Sequence, residues 1–284
     1  MTHRVRGDDL RVIAIDWSGK KTHAGGTIWL AEVRDGVLVR LERDRDREQI
    51  AGELLRLLDD PRPAVIGLDF AFSMPAWFVR KSGARSAIAF WDIAARQGER
   101  WLATCEPPFW GRPGARKSLA DAACLRATDR ACACSGLGRP KSVFQVGGAG
   151  AVGTGSIRGM PALRKLHDAG YAVWPFCEPA AHTLVEIYPR AFTGPVVKSD
   201  ARARKQHLAQ RFPSLPPDMR SLAASTEDAF DAAVSALGMW EHRDALAHLP
   251  PERDEATQLE GAIWLPPIES PLPAEPWHAA QLAW

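Results

Sequence analysis

The stretch that most limits what this chain can fold into is Val12-Ile13-Ala14-Ile15-Asp16-Trp17-Ser18-Gly19. Four apolar residues in a row, without polar alternation, read as a strand covered on both faces. The run ends on a carboxylate placed where the strand leaves the core. A charge there is costly unless it is paired, hydrogen-bonded or bound to a cation. A turn-capping role would account for Asp16 alone, but the pattern recurs in Ala64-Val65-Ile66-Gly67-Leu68-Asp69.

The elements between and after these strands follow from spacing. Thr27–Val33 is a second strand, and Asp35-Gly36 a tight turn into a third, Val37–Glu42, with apolar residues at alternate positions. These three form an antiparallel meander. Apolar spacing from Asp46 to Leu58 predicts a helix that ends at Asp59-Asp60-Pro61 and Pro63. That helix supplies the crossover a parallel pairing needs, so the fourth strand can lie beside the first and bring Asp16 and Asp69 to one edge.

Residues 73–145 break this rhythm. They hold Trp77, Trp91, Trp101 and Trp110 among many basic residues, and read as a mainly helical insertion at about 75–145. Most of these tryptophans are expected in the core, although such rings also stack on bases. A helix is expected over Pro161–Ala169, with proline in its first turn. Strands are expected over Tyr171–Phe176 and Thr183–Tyr188, then helices over Ser199–Phe212 and Ser225–Trp240. A last strand is placed at Glu260–Leu265, followed by an extended Pro-rich tail from about 266. The chain reads as one α/β domain. Its sheet is mixed, with the meander continuing into parallel strands, and helices flank it.

The acids are the chemical signal. Asp16 and Asp69 end apolar strands, and Glu186 lies inside a third. Asp228 and Asp231 share one face of the late helix. Glu227, four residues before Asp231, is an alternative to Asp228. Each has an ordinary explanation: Asp69 as a turn cap, Glu186 paired with Arg190, Asp228 favouring a helix N-terminus. Gathering them together is harder to explain, because carboxylates on apolar elements repel one another and lose hydration. Divalent cations relieve both costs, and Mg²⁺ prefers such hard oxygen ligands.

This layout resembles that of ribonuclease H-like nucleases, and Asp228-Ala229-Phe230-Asp231-Ala232 resembles the terminal helix of RuvC-type junction resolvases. Four stretches together are most similar to domain-of-unknown-function family 429, predicted nucleases of that fold. They are Ile15-Asp16-Trp17-Ser18-Gly19, Ile66-Gly67-Leu68-Asp69-Phe70-Ala71-Phe72-Ser73, Val185-Glu186-Ile187-Tyr188-Pro189-Arg190 and the Asp231-Ala232 helix. The resemblance covers roughly residues 10–240. It implies a ribonuclease H-like sheet and hydrolysis of phosphodiester bonds in nucleic acid by two Mg²⁺ or Mn²⁺ ions. Asp16 would bridge the ions, Asp69 and Asp231 would each hold one, and Asp228 or Glu186 would complete the set. The insertion departs from the minimal fold and is the part expected to set substrate choice.

Other signals bound this reading. Residues 147–161 are rich in glycine and read either as a flexible loop before a helix or as a loop whose amides cradle phosphate, although no Gly-Lys-Ser or Gly-Lys-Thr closes them. Thr154, Ser156 and Arg158 in that stretch, with Ser18 and Ser73 after the two aspartates, are placed on the substrate side. Residues 76–165 carry fifteen Arg and Lys against five Asp and Glu, so the near-neutral total of +2 hides a basic segment beside an acidic remainder. That asymmetry suits a site that grips phosphates and holds cations. No run approaches the ~18 apolar residues of a membrane span, and the start of the chain lacks a signal-peptide core. Five irregularly spaced cysteines predict reduced thiols in a cytoplasmic protein. Two other classes compete with the nuclease. One is an actin-like or sugar-kinase-like ATP-binding phosphotransferase, supported by Asp16-Trp17-Ser18-Gly19 and the glycine-rich stretch. The other is a non-catalytic nucleic-acid-binding protein on the same fold.

Overall fold

The structure, a computed structural model, describes residues 7–267. Most of the expected Pro-rich tail lies outside those residues. Six strands form one mixed sheet in the order β3-β2-β1-β4-β6-β5. They are β1 (Arg11–Asp16), β2 (Trp29–Arg34), β3 (Val37–Glu42), β4 (Ala64–Leu68), β5 (Ala172–Val173) and β6 (His182–Glu186). The pairs β1–β2 and β2–β3 are antiparallel, joined at Asp35-Gly36, where both residues adopt positive φ as a tight hairpin turn requires. The pairs β1–β4, β4–β6 and β5–β6 are parallel. The expected meander, and the pairing of the first strand with the fourth, are both present.

Helices in chain order are α1 (Arg47–Leu57), α2 (Ala76–Lys81), α3 (Ala87–Thr104), α4 (Asp121–Cys124), α5 (Ala127–Cys134) and α6 (Val152–Asp168). After them come α7 (Arg190–Thr193), α8 (Ala201–Arg211), α9 (Pro217–Ala223), α10 (Glu227–Glu241), α11 (Arg243–Ala247) and α12 (Glu255–Glu260). A capping box of Asp46 and Gln49 starts α1, and Thr226 caps α10.

Successive residues of β1 point into two different cores. Ile13 and Ile15 pack with Ile66 and Leu68 under α1, α3 and α6. Val12 and Ala14 pack with Val65 and Val185 under α8 and α10. This double coverage is why the strands read as unbroken apolar runs. The insertion's Phe78, Trp91, Phe109 and Phe144 join the first of these cores, and Trp91 is fully buried with its indole N–H donated to Phe72 O at 2.7 Å.

Three expectations are corrected. The helix placed at Pro161–Ala169 begins at Val152 instead, with Pro161 in its interior. The glycines are helical because small residues let neighbours approach. A Cβ at Gly159 would lie 2.5 Å from the Phe70 ring, and one at Gly153 would lie 2.1 Å from Val143 O. The expected strand over Tyr171–Phe176 shrinks to two residues, with Pro175 lacking a donor to extend it. The strand placed at Glu260–Leu265 is instead the end of α12 followed by a single bridge, Ile263 to Glu186.

The glycine-rich helix thus serves the strand edge. Phe70 packs on Gly159, and Ala71 N–H donates to Ser156 Oγ at 3.0 Å, so α6 fixes the loop that follows Asp69. Gly159→Val should destabilise the fold by about 1–3 kcal/mol through overpacking. Gly26→Ala, where an added Cβ meets nothing within 4 Å, should change stability by less than about 0.5 kcal/mol. Urea denaturation of the two variants checks the difference.

Candidate metal centre

The carboxylates are brought together by topology. Parallel pairing of β1 and β4 sets Ile15 beside Leu68, so Asp16 and Asp69 leave the sheet as neighbours. Asp69 N–H bonds Ile15 O at 3.0 Å, which fixes the start of the loop beside the end of β1. Helix α10 lies across β1 and β2, with Ala229, Ala232, Ala233 and Ala236 fully buried, and this close approach carries Asp231 to the same edge. Asp16 and Asp69 are part-buried, whereas Asp231 is 6% exposed.

Lys198 completes this group. Its ammonium donates to Asp231 Oδ2, and it lies within the fields of Asp69 and Asp16. The other oxygen of Asp231, Oδ1, is buried with no hydrogen-bond partner. Asp228 stands part-buried one turn earlier, facing Lys20 and Lys198, and Glu227 is exposed beside it.

Crowding shows in the protonation of the group. Burial first, then Asp69, Asp231 and Asp228, push the Asp16 carboxyl well above its ordinary range. Burial, followed by Asp231, pushes Asp69 up to about 7. Burial pushes Asp231 up to about 6 against the pull of Lys198, and burial with Glu227 raises Asp228. Burial alone would lower the Lys198 ammonium, but Asp231, Asp69 and Asp16 outweigh it and hold the charge on.

Glu186 has a different place. It ends β6, 2% exposed, and is gripped bidentately by Arg126, with Nη1 to Oε2 at 2.8 Å and Nη2 to Oε1 at 2.5 Å. Phe72 N–H donates to the same Oε2 at 2.9 Å. Arg126 starts α5 and is 1% exposed. It also bonds Asp129 through Nε and Nη2, and the Glu260 carbonyl through Nη1. Glu260 in turn accepts from Ala76 N and Ala127 N at the starts of α2 and α5. Glu186 is thereby neutralised by Arg126 rather than by Arg190, whose Nη1 donates to Val196 O.

A cavity of about 420 Å³ opens against this edge. Asp69, Asp231 and Lys198 line one part of it, and Arg126 and Glu186 another. Lys141, Tyr188 and Arg190 also line it, as do Gly150 and Val152 at the start of α6. None of the five residues placed on the substrate side lines it. Ser18 Oγ accepts from Thr27 Oγ1 at 2.8 Å, and buried Ser73 donates to Leu259 O at 2.6 Å. Thr154 Oγ1 donates to Val146 O, Ser156 Oγ accepts from Ala71 N, and Arg158 pairs with Glu99 and donates to Gly19 O. The basic stretch is likewise paired in large part, Arg80 with Glu255, Arg139 with Asp121 and Lys165 with Glu48.

As the side chains stand, no group of three His, Cys, Asp or Glu among the described residues is set to hold an ion, and Lys198 supplies the cluster's positive charge. Lys198 and Arg126 were not among the sequence candidates. The only signal for the first is its place directly after the apolar Val196-Val197, ahead of the Arg-rich helix. Arg126, sixty positions from Glu186, left none. No helix among the described residues is long and apolar enough to cross a membrane. Comparison with protein-family models, with curated proteins and with solved structures found no match to this chain.

The four aspartate shifts are all upward, so the folded chain binds protons that the unfolded chain has released. Their contribution to stability falls as pH rises from about 4, where free carboxylates titrate, through about 7. Without divalent ions, the urea midpoint of the wild type should drop between about pH 5 and pH 7.5. The drop should be shallower in Asp69→Asn, and equal slopes would contradict the coupling.

Proposed function

We propose that the chain is a divalent-metal-dependent nuclease of ribonuclease H-like fold, related to domain-of-unknown-function family 429. The observation that carries this reading is the convergence of Asp16, Asp69 and Asp231 at one sheet edge, with raised carboxyl pKa values and one buried carboxylate oxygen left without a donor. Such a group carries more negative charge than Lys198 alone offsets, and Mg²⁺ or Mn²⁺ fits its all-oxygen donor set. Asp16, Asp69 and Asp231 would hold the metal, with Asp228 at the rim. Glu186 is already matched to Arg126, which supports a role in shaping the cavity wall in place of the ligand role implied by the resemblance.

A bound divalent ion supplies Lewis-acid charge to a phosphoryl group and makes water a stronger acid. The protein's own residues do the rest. The parallel pairing of β1 and β4 holds Asp16 and Asp69 as neighbours at the sheet edge, where both would serve as ligands. Lys198, Lys141 and Arg190 give the cavity positive charge suited to phosphate oxygens. Tyr188 and Pro189 offer it apolar surface on which a sugar or base can rest. The walls formed by Arg126, Pro140 and Lys141 come from the insertion, which supports a part for it in substrate choice.

The phosphotransferase reading keeps only the first part of its glycine-rich support, since Gly153 and Gly159 are used in helix packing while Gly147, Gly148 and Gly150 stay in a loop. A non-catalytic nucleic-acid-binding protein remains as an outcome of the test. With Mg²⁺ or Mn²⁺ and labelled DNA and RNA oligonucleotides, the wild type should cleave. Asp16→Asn and Asp231→Asn should each lose about 10²-fold or more in rate while keeping their fold. Retained cleavage in both variants would overturn the reading, and salt-sensitive binding without cleavage by the wild type would replace it with the binding protein.

A further inference from the structure

We propose that Lys198 takes the place of a second metal ion, so that this centre binds one divalent cation and not two. The inference rests on the metal-centre reading above and concerns how its charge is balanced.

The contact with Asp231 is built in from both ends. Arg204, 6% exposed, donates from Nη1 to the Lys198 carbonyl, from Nε to Ala224 O at 3.0 Å and from Nη2 to Ser225 O at 3.4 Å. Ala224 and Ser225 lead directly into the Thr226 cap of α10, the helix that carries Asp231. One buried guanidinium therefore ties the backbone of Lys198 to the start of that helix. On the other side, Arg190 holds Val196 O at 3.1 Å. Lys198 is 28% exposed at its side chain, part-enclosed and lining the cavity, unlike a free surface lysine.

The donor set is divided accordingly. Asp231 gives Oδ2 to Lys198 and keeps only the buried Oδ1 without a partner. A carboxylate with one oxygen committed to an ammonium has one oxygen left for an ion. The charges agree. Asp16, Asp69, Asp231 and Asp228 carry four negative charges when ionised. Lys198 faces Asp16, Asp69, Asp231 and Asp228, and Lys20 faces Asp228. Two negative charges remain within this group, which a single divalent ion balances, and the further charge of Glu227 stands exposed to solvent. Glu186, the acid that would otherwise extend the set, is saturated by Arg126. The remaining N–H donors of Lys198 border the cavity, where a second ion would face a phosphate oxygen.

The test is a calorimetric titration with Mn²⁺ alone on the full chain, using wild type, Lys198→Met, Lys198→Gln, Lys198→Arg and Asp16→Asn. Circular dichroism confirms the fold of each. One ion per wild-type chain is expected, one in Lys198→Arg, and two in whichever neutral variant folds. Mn²⁺ should also raise the melting temperature more in the neutral variants than in the wild type. Two ions on the wild type, or one on a folded neutral variant, would overturn the role of Lys198 and leave the metal centre standing. Binding that is absent from the wild type, or unchanged in Asp16→Asn, would remove the metal centre itself and this inference with it.

Discussion

Repulsion among Asp16, Asp69 and Asp231 is the constraint around which this molecule is arranged. Each stands on a different element, and each would be unremarkable alone. Parallel pairing of β1 with β4, and the crossing of α10 over β1, leave them no way to separate. In water the three would interact weakly. Burial strips them of hydration, and this first, with neighbouring carboxylates second, raises their carboxyl pKa values. The small residues of α10 and the loop pinned by α6 both serve to keep this unfavourable group in place. A fold that holds like charges together against their own repulsion is suited to receive a cation.

Positive charge is distributed with matching economy. Arg126 is spent entirely on Glu186, Asp129 and the Glu260 carbonyl, and it joins α5, β6 and the end of α12 in one buried network. Glu260 closes that network by capping two helices of the insertion. The insertion is thus bolted to the sheet beside the acids and forms a wall of the cavity. Lys198 is the cation directed at the aspartates themselves, and Arg204 fixes where it stands.

Much of the sheet was legible because continuous apolar runs and the Asp35-Gly36 turn report local structure directly. Asp16 and Asp69 stood out as charges at the ends of apolar strands, and Asp228 and Asp231 as acids on one face of a helix; the fold brings Asp16, Asp69 and Asp231 to one sheet edge. What was missed depends on distant partners. Nothing near Arg126 announces Glu186, and nothing near Ser73 announces the Leu259 carbonyl that occupies it. The glycine-rich stretch was legible only in part, a loop over 147–151 and a helix from Val152. Glycine marks both loops and close approaches, and only the position of the Phe70 ring tells them apart. Ser18, Thr154, Ser156 and Arg158 are polar residues in the stretches singled out, but Ser18 is engaged by the Thr27 hydroxyl and the others by backbone groups or Glu99.

The most direct measurement is anomalous diffraction from a crystal of the protein soaked in Mn²⁺. A peak bounded by Asp16, Asp69 and Asp231 Oδ1, with Lys198 still on Asp231 Oδ2, is the predicted result. A well-ordered site with no peak among these carboxylates would contradict the account.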